Sequence, residues 1–325
     1  MIPPGRQDLL AAADRLRGLA HVTPVLTSTT LDERTGARVY LKCENLQRVG
    51  AFKFRGAYNA IASLEPEERQ RGLVTHSSGN HGQAVALAAR LFGAPARVVV
   101  PEGAQAVKRA AVATYGGDVI PCAPTQEARQ ETADRVTRET GSVFIHPYDD
   151  PRIVAGQSTV AQELWQQVPK LDYLLVPVGG GGLVGGSCLA ARHFSPGTRV
   201  IACEPAGAAD AAASFAAGSL QPMPPPGPDT VADGLRASLS ELTFGILREH
   251  AAAVLTVEDS QTLRAMRVVW ERLKMVIEPS AAVAVAVLLE GLLEKAGFEV
   301  AGTRVGVVIS GGNVDLDRLP WQAAA

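Results

Sequence analysis

The sequence of 325 residues has only four cysteines, and no two of them form a CxxC pair. This argues against a disulfide framework and against a cysteine-based zinc site, and it fits a reducing compartment. The formal net charge is only −2, so neither nucleic acid nor an acidic membrane is expected as a partner. With 46% hydrophobic and 20% charged residues, the composition is that of a globular protein with a buried core.

Long uninterrupted apolar segments are also lacking. The N-terminal region carries Asp8 and Asp14 and has no apolar stretch like that of a signal peptide, so a cytoplasmic location is expected. The stretch from Tyr173 to Ala191 has no charged residue, but it contains Pro177 and six glycines. These residues favour a strand, a loop and a helix over a membrane span.

Short β-branched runs alternate with alanine-rich helical segments along the chain. This alternation predicts parallel sheets covered by helices on both faces. The predicted strands are 39–42, 73–77, 96–100, 118–121, 173–178, 199–203 and 304–309, and two of the predicted helices are 83–92 and 263–274. Ligands of such sheets bind at the carboxyl ends of the strands. Three polar loops with glycine follow predicted strands directly: 77–82, 179–182 and 310–313.

A run of four glycines, Gly179 to Gly182, joins a predicted strand to a predicted helix. Such a run allows a sharp turn and directs backbone N–H groups toward an anion at the helix N-terminus, as a phosphate site requires. The segment also fits the G-x-G-x-x-G pattern at Gly180, Gly182 and Gly185, with Glu204 at the end of the next strand. A nicotinamide cofactor is therefore an open alternative for this segment taken alone.

The loop from His76 to Gly82 reads His-Ser-Ser-Gly-Asn-His-Gly and precedes the helix predicted to begin at residue 83. Hydroxyl, amide and backbone donors at a helix N-terminus suit a carboxylate. A single serine or asparagine would be enough to cap the helix. Three such residues with two glycines favour a binding loop.

Lys53 lies between two phenylalanines in the segment Gly-Ala-Phe-Lys-Phe-Arg-Gly. A lysine removed from water has a lowered pKa and becomes a nucleophile for an aldehyde. Taken alone, the local pattern better fits an outward-facing lysine on an element whose phenylalanines face the core. Arg55 is best explained as a surface or structural ion-pair residue. Ser310 follows the last predicted strand, where it would cap the next segment or offer its hydroxyl to a ring nitrogen.

Together these segments resemble the fold-type II, or tryptophan synthase β-like, pyridoxal-phosphate enzymes, and among them the threonine/serine dehydratase and serine racemase group. The matching stretches follow the family's order along nearly the whole chain: 42–47, 51–57, 77–82, 146–151, 155–157, 178–183, 232–234, 277–280 and 310–315. The resemblance implies two α/β domains with parallel sheets. Residues 1–50 and 149–325 would form the large cofactor-binding domain, and residues 51–148 a small mobile domain. A homodimer or homotetramer is also implied.

The resemblance further implies that pyridoxal 5'-phosphate is held as a Schiff base on Lys53. Lys53 and, on the opposite face of the substrate, Ser78 would be the two acid/base residues. The cofactor would contact Phe52, Lys53, Asn80, Gly179, Gly180, Gly181, Gly182, Leu183 and Ser310. The amino-acid substrate would contact Ser77, Ser78, Asn80, His81 and Arg129.

Glu204 receives a second interpretation from the resemblance. Metal-binding members of the family place a divalent cation in the matching segment, so the carboxylates of Glu204 and Asp210 and the carbonyl of Ala208 would bind Mg²⁺ or Ca²⁺. Oxygen ligands suit such hard cations. The structural alternative is that Asp210 places a negative charge at a helix N-terminus.

The implied activity is the β-elimination of L-threonine or L-serine to the 2-oxo acid and ammonia. A serine at the pyridine nitrogen, in place of a carboxylate, weakens the electron sink and favours prompt elimination over a long-lived carbanion. A serine racemase with dehydratase side activity and a threo-3-hydroxyaspartate ammonia-lyase share the same motifs and stay open. A nicotinamide-binding Rossmann protein is the alternative outside this enzyme type.

Overall fold

The computed structural model of the chain describes residues 1–77, 79–103 and 106–322. The strands are β1 (Val25–Leu26), β2 (Arg38–Cys43), β3 (Leu73–His76), β4 (Ala96–Pro101), β5 (Asp118–Cys122), β6 (Val143–Phe144), β7 (Tyr173–Pro177), β8 (Arg199–Pro205), β9 (Ala253–Val257) and β10 (Arg304–Ile309). The α-helices are α1 (Arg6–Leu16), α2 (Thr29–Thr35), α3 (Lys53–Ala62), α4 (Pro66–Gln70), α5 (Asn80–Leu91), α6 (Ala106–Thr114), α7 (Gln126–Thr140), α8 (Pro151–Gln167), α9 (Gly182–Phe194), α10 (Asp210–Ala217), α11 (Glu241–His250), α12 (Asp259–Leu273), α13 (Pro279–Leu289) and α14 (Leu292–Lys295).

The larger sheet has the strand order β1-β2-β10-β7-β8-β9, and every pair except β1–β2 is parallel. The last strand in sequence, β10, lies in the interior, where Val307 is opposite Leu41 of β2 and Leu175 of β7. Alternate residues of these strands belong to two hydrophobic clusters. Helices α12 and α13 supply one cluster and α8 and α9 the other, so the sheet is covered on both faces, as parallel sheets require.

The smaller sheet has the order β5-β4-β3-β6, and all of its strands are parallel. The predicted α/β class with two parallel-sheet units is therefore confirmed. The small sheet draws its strands from 73–144 and the large sheet from both flanks. The domain boundaries at residues 50/51 and 148/149 stay a prediction. None of the helices in the described part of the chain is long and apolar enough to cross a bilayer.

Each of the seven predicted strands is present, with bounds that differ by no more than two residues. The sequence did not predict β1, β6 and β9, which are short or lie at a sheet edge. Helix α5 begins at Asn80 and not at residue 83, and its N-cap is Gly79, which has no side chain to signal the start. Asn80, His81 and Gly82 are therefore the first turn of the helix, and the loop before it is shorter than predicted.

Helix α3 packs closely on α8 where two glycines meet. A Cβ atom on Gly156 would lie 2.6 Å from both the Arg55 carbonyl oxygen and the Gly56 Cα. On the facing helix, the Gly56 N–H donates to Oε1 of Gln157 at 3.2 Å. Any larger residue at Gly156 would force the helices apart, so this contact holds the helix that begins at Lys53 against the large sheet's covering layer.

A buried group of four charges lies beneath the same helix. Arg55 donates to the two carboxylate oxygens of Glu44 at 2.7 and 2.8 Å, and to both oxygens of Glu163 at 3.2 Å. Lys42 also pairs with Glu163 and donates to the Thr23 carbonyl at 2.7 Å. The side chains of Lys42, Glu44 and Arg55 are at most 2% exposed. The prediction of a structural ion pair for Arg55 is confirmed, and the pair is buried.

Candidate active site

Lys53 is the first residue of α3, and its side chain turns inward. Its Nζ donates to the carbonyl oxygen of Pro147 at 3.0 Å and lies 5.2 Å from the centre of the Phe52 ring. The outward-facing alternative for Lys53 is therefore wrong. The amine lies where α3 meets the segment between β6 and α8.

The surroundings of Lys53 favour an uncharged amine. Burial lowers the pKa of Lys53 to about 8, although the negative charge of Glu278 raises it. A large fraction of the amine is therefore neutral just above physiological pH. A neutral amine has the free electron pair that is needed to attack an aldehyde or to accept a proton.

The end of β10 adjoins the turn that carries Lys53. Phe52 N–H donates to the Ser310 carbonyl at 3.0 Å, and Ala51 forms an isolated antiparallel bridge with Gly311. Ser310 is buried. The structure thus brings Phe52, Lys53 and Ser310 together although more than two hundred residues separate them in sequence.

The glycine run forms a tight turn into α9, which begins at Gly182. Gly181 has a φ of +86°, a conformation that favours glycine. A Cβ atom on Gly180 would lie 2.3 Å from the ring of Tyr148, so that ring lies directly on the turn. Leu183 is buried in the first turn of α9. The free N–H groups of this helix start make the turn a cradle for a phosphate.

The first turn of α5 is tied to the C-terminal loops of the chain. Asn80 donates from Nδ2 to Glu278 at 2.9 Å, and its Oδ1 accepts from Asn313 at 2.8 Å. Ser77 Oγ accepts from the Gly79 N–H at 3.2 Å. Sequence reasoning gave no role to Glu278 or Asn313, although both lie in stretches that match the family.

His81 is buried, and its tautomer is determined by its partner. Its Nε2 donates to the Ile145 carbonyl at 3.2 Å, while Nδ1 is buried without a hydrogen-bond partner among the described residues. Burial, then the charge of Lys53, holds the pKa of His81 well below its usual value, so the ring is neutral. A neutral ring with a bare Nδ1 accepts hydrogen bonds there. The predicted contact between His81 and a substrate carboxylate would therefore come from its backbone N–H in the first turn of α5.

Sequence reasoning also gave no role to the aromatic group His76, His146 and Tyr148. The His146 ring lies edge-on to Tyr148 at 4.7 Å and to His76 at 6.2 Å between ring centres. Burial lowers the pKa of His146 to about 4 and raises that of Tyr148 to about 12. Both side chains are therefore uncharged at neutral pH. The sequence did carry a signal for His146 and Tyr148, because residues 146–151 are among the stretches that match the family.

Two predicted substrate residues need separate comment. Ser78 lies outside the described residues. Arg129 is on α7, and its Nε is buried without a hydrogen-bond partner in the ranges that the structure covers. Its positive charge contributes to lowering the pKa of His76, which places the guanidinium near that ring. The roles predicted for Ser78 and Arg129 stay predictions.

The carboxylates of Glu204 and Asp210 lie close together, outside the group around Lys53. Glu204 accepts from the N–H groups of Ala211 and Ala212 at 2.9 and 2.8 Å. Asp210 accepts from the Leu239 N–H at 2.9 Å with Oδ2, whereas its buried Oδ1 has no partner among the described residues. Burial raises the pKa of Glu204 to about 8 and that of Asp210 to about 6, and for Glu204 the charge of Asp210 adds to the rise.

Comparison with known proteins decides between the cofactors that the glycine run allows. Residues 16–311 match the family described as pyridoxal-phosphate dependent enzyme. The chain belongs to this family. The nicotinamide alternative is therefore excluded, and the fold-type II resemblance of the sequence is confirmed.

Two curated relatives and one solved structure are similar to this enzyme over nearly their whole length. It is 45% identical to a beta-hydroxyaspartate dehydratase of Paracoccus denitrificans (strain Pd 1222), over 99% of this chain and 100% of that protein. It is 47% identical to a serine racemase of Arabidopsis thaliana, over 96% and 93% of the two chains. The structure of maize serine racemase matches with a TM-score of 0.95 at 42% identity, covering 97% of this chain and 95% of that one. This pyridoxal-phosphate dependent enzyme thus falls among dehydratases and racemases.

Glu278 should set the pH at which Lys53 becomes reactive. The substitution Glu278→Gln keeps an oxygen for the Asn80 hydrogen bond but removes the negative charge that stabilises the Lys53 ammonium. We expect the pKa of Lys53 to fall below about 8. The measurement is the rate at which cofactor-free protein captures pyridoxal phosphate as a function of pH, followed by borohydride trapping.

The matched control is Glu271→Gln, since Glu271 is an exposed residue of α12 that pairs with Arg267. Its pH midpoint should equal that of the wild type. An unchanged or raised midpoint in Glu278→Gln would show that Glu278 does not act on the amine.

Proposed function

We propose that this enzyme is an ammonia-lyase that removes the β-hydroxyl group from β-hydroxy α-amino acids and releases a 2-oxo acid and ammonia. The observation that carries the proposal is the Lys53 amine, which faces inward, is about half neutral at pH 8 and is held by the Pro147 carbonyl. A base in this state can remove the α-proton. L-Threonine and L-serine are the substrates expected from the sequence.

The neighbouring residues fit pyridoxal phosphate. The turn at Gly179–Gly182 offers N–H groups at a helix start. Phe52 lies beside the amine, and Ser310 adjoins the turn that precedes Lys53. When bound, pyridoxal phosphate supplies the electron sink for loss of the α-proton. Lys53 accepts that proton on Nζ, and the charge of Glu278 stabilises the resulting ammonium. The cofactor would lie between the unit built on the larger sheet and the unit built on the smaller sheet. Closure of the smaller unit would exclude water.

Two features support elimination as the outcome. Ser310, an uncharged residue, stands where the family pattern meets the pyridine nitrogen, which favours a short-lived carbanion. A dehydratase is among the relatives that align over their whole length. The second acid/base residue of a racemase would be Ser78, for which the described part of the structure supplies no geometry. Racemisation is therefore an outcome that the experiment has to separate from elimination.

The protein should bind pyridoxal phosphate on Lys53 and release ammonia from β-hydroxy amino acids. Borohydride treatment should fix the cofactor to the peptide that contains Lys53. The substitution Lys53→Ala should lower the rate of 2-oxo acid formation at least about a thousandfold, since the proton acceptor is lost. The exposed Lys295→Ala is the control and should keep full activity.

Chiral analysis of incubations with L-serine completes this test. Pyruvate and ammonia without D-serine would support the lyase. Formation of D-serine faster than pyruvate would make the enzyme a racemase and overturn the proposal.

A specific observation favours 3-hydroxyaspartate as the preferred substrate. The buried, unpaired Nε of Arg129 lies near His76, and no described carboxylate pairs with it. Guanidinium groups bind carboxylates through paired hydrogen bonds. 3-Hydroxyaspartate has a second carboxylate that L-serine and L-threonine lack, so Arg129 would distinguish it from them.

Arg129→Met should therefore lower kcat/KM for 3-hydroxyaspartate about 10- to 100-fold, the range for loss of a hydrogen bond to a charged group. The value for L-serine should change less than about threefold, because that substrate has no second carboxylate. Arg135→Met is the matched control, since Arg135 lies on the same helix and pairs with Glu139 on the surface. Equal losses on both substrates would place Arg129 at the α-carboxylate and remove the argument for 3-hydroxyaspartate.

The residues predicted for a divalent cation also fit one. Ala208 and Asp210 are buried, and the Oδ1 of Asp210 lacks a partner within the described residues. Two neighbouring buried carboxylates repel one another, and a hard cation would relieve that repulsion. Within the described ranges, no three His, Cys, Asp or Glu side chains group as a metal site, so the set needs the Ala208 carbonyl. We propose Glu204, Ala208 and Asp210 as ligands of Mg²⁺ or Ca²⁺.

Mg²⁺ or Ca²⁺ should raise the Tm of the protein in proportion to the logarithm of cation concentration, since only the folded chain holds the ligands together. Asp210→Asn should abolish the rise, and the exposed control Glu67→Gln should retain it. If Asp210→Asn shows the wild-type rise with either cation, the cation binds elsewhere.

A further inference from the structure

His146 lies in the segment that joins β6 to α8, and its ring is held by the backbone of that segment. Its Nδ1 accepts hydrogen bonds from the N–H of Tyr148 at 3.2 Å and from the N–H of Asp149 at 2.7 Å. Backbone N–H groups can only donate, so Nδ1 has no hydrogen. The single N–H of the neutral ring is therefore on Nε2.

The ring stays in this one state at neutral pH. Burial holds the pKa of His146 near 4, and the charges of His76 and Lys53 lower it while that of Asp149 raises it. At pH 7 the ring is neutral, and the Nε2–H is a hydrogen-bond donor that does not depend on pH. A neutral imidazole is too weak an acid to give up this proton during the reaction.

The donor is next to the reactive amine. Lys53 donates to the carbonyl of Pro147, which follows His146 directly in sequence, and Tyr148 lies on the turn at Gly180. The His146 ring lies edge-on to Tyr148 at 4.7 Å, and the charge of Lys53 lowers the pKa of His146, so the ring is near both the amine and the residue on the glycine turn. It is only partly buried, and Nε2 has no hydrogen-bond partner within residues 1–77, 79–103 and 106–322.

We propose that the Nε2–H of His146 binds the β-oxygen of the substrate and so selects amino acids with a β-hydroxyl group. The inference rests on the proposed function and names the residue that recognises the group to be eliminated. The α-carboxylate would bind the N–H groups at the start of α5 and a second carboxylate would bind Arg129, so the Nε2–H is a donor that neither carboxylate uses. The hydrogen bond strengthens as this oxygen gains negative charge when the C–O bond breaks. The proton itself stays on Nε2, and the leaving oxygen departs as water with the proton that Lys53 Nζ has taken from the α-carbon.

Two substitutions distinguish the role of Nδ1 from that of Nε2. In His146→Asn, the amide oxygen can accept from the N–H groups two and three residues ahead, as Nδ1 does, but nothing replaces the Nε2–H. In His146→Gln, the longer side chain can place an N–H near the position of Nε2, but it no longer accepts the hydrogen bonds from the N–H groups of Tyr148 and Asp149. His146→Asn should therefore keep the wild-type Tm, and His146→Gln should lower it.

The first measurement reads the tautomer without any catalysis. Two-bond ¹H–¹⁵N correlation spectra of the cofactor-free protein distinguish Nε2–H from Nδ1–H rings, and His146→Asn assigns the signal by its disappearance. We expect the Nε2–H pattern, unchanged between pH 6 and 9. A proton on Nδ1 would overturn the inference whatever the enzyme's substrate is.

The second measurement compares L-serine with β-chloro-L-alanine, which loses chloride by the same α-proton removal and has no β-oxygen. His146→Asn should lower kcat/KM for L-serine about 10- to 100-fold, between the loss of an ordinary hydrogen bond and the loss of a donor to a developing oxyanion. The value for β-chloro-L-alanine should change less than about threefold. His146→Gln should keep more of the preference for L-serine than His146→Asn.

If His146→Asn lowers kcat/KM equally for the two substrates, His146 serves only to hold the turn, and the proposed contact is overturned. A wild-type protein that eliminates chloride but attacks no β-hydroxy amino acid would overturn the proposed function, and the contact with it. The spectrum would still report the tautomer in that case, so the two failures are distinguishable.

Discussion

A group of four charges at α3, three of them buried, is the constraint on which the geometry around Lys53 depends. Arg55, Glu44, Glu163 and Lys42 join β2, α3 and α8 in one hydrogen-bonded group. Removing one member of such a group leaves an unpaired charge away from water, at a cost of about 3–5 kcal/mol. Helix α3 therefore cannot turn about its axis without breaking these bonds. Lys53, two residues before Arg55, is directed to the other side of the helix, toward the Pro147 carbonyl.

Around the Lys53 amine, in contrast to the paired charges around Arg55, most of the neighbouring groups are uncharged. The charge of Lys53 helps to lower the pKa of His81 and of His146, and both rings are neutral. Glu278 supplies a negative charge that raises the pKa of Lys53. Paired charges fix the helix from below, while mostly uncharged groups face the reaction space. This separation explains how a lysine can be rigidly placed and still have a pKa of about 8, well below its usual value of 10.5.

The local signals of the sequence were enough for much of the fold. Continuous apolar runs such as 173–178 predicted buried parallel strands, and the order of the motifs identified the family. Lys53 could not be understood locally, because its phenylalanine neighbours suggested an outward lysine. The contacts that sequence reasoning missed join distant segments: Asn80 with Glu278, and Tyr148 with Gly180. The two-residue strands β1 and β6 are too short for any alternation to appear, and Gly79 gave no capping signal for α5.

The interior position of β10 has a consequence for how the protein is made. Among the strands of the described residues this one is synthesised after the others, yet it fills the gap between β2 and β7 and carries Ser310 to the turn before Lys53. A nascent chain therefore holds its reactive lysine before the pocket around it exists. The large sheet closes only after β10 has been synthesised, so capture of the cofactor is expected to follow synthesis of this strand. Truncated translation products would carry the lysine and the glycine turn without a complete site.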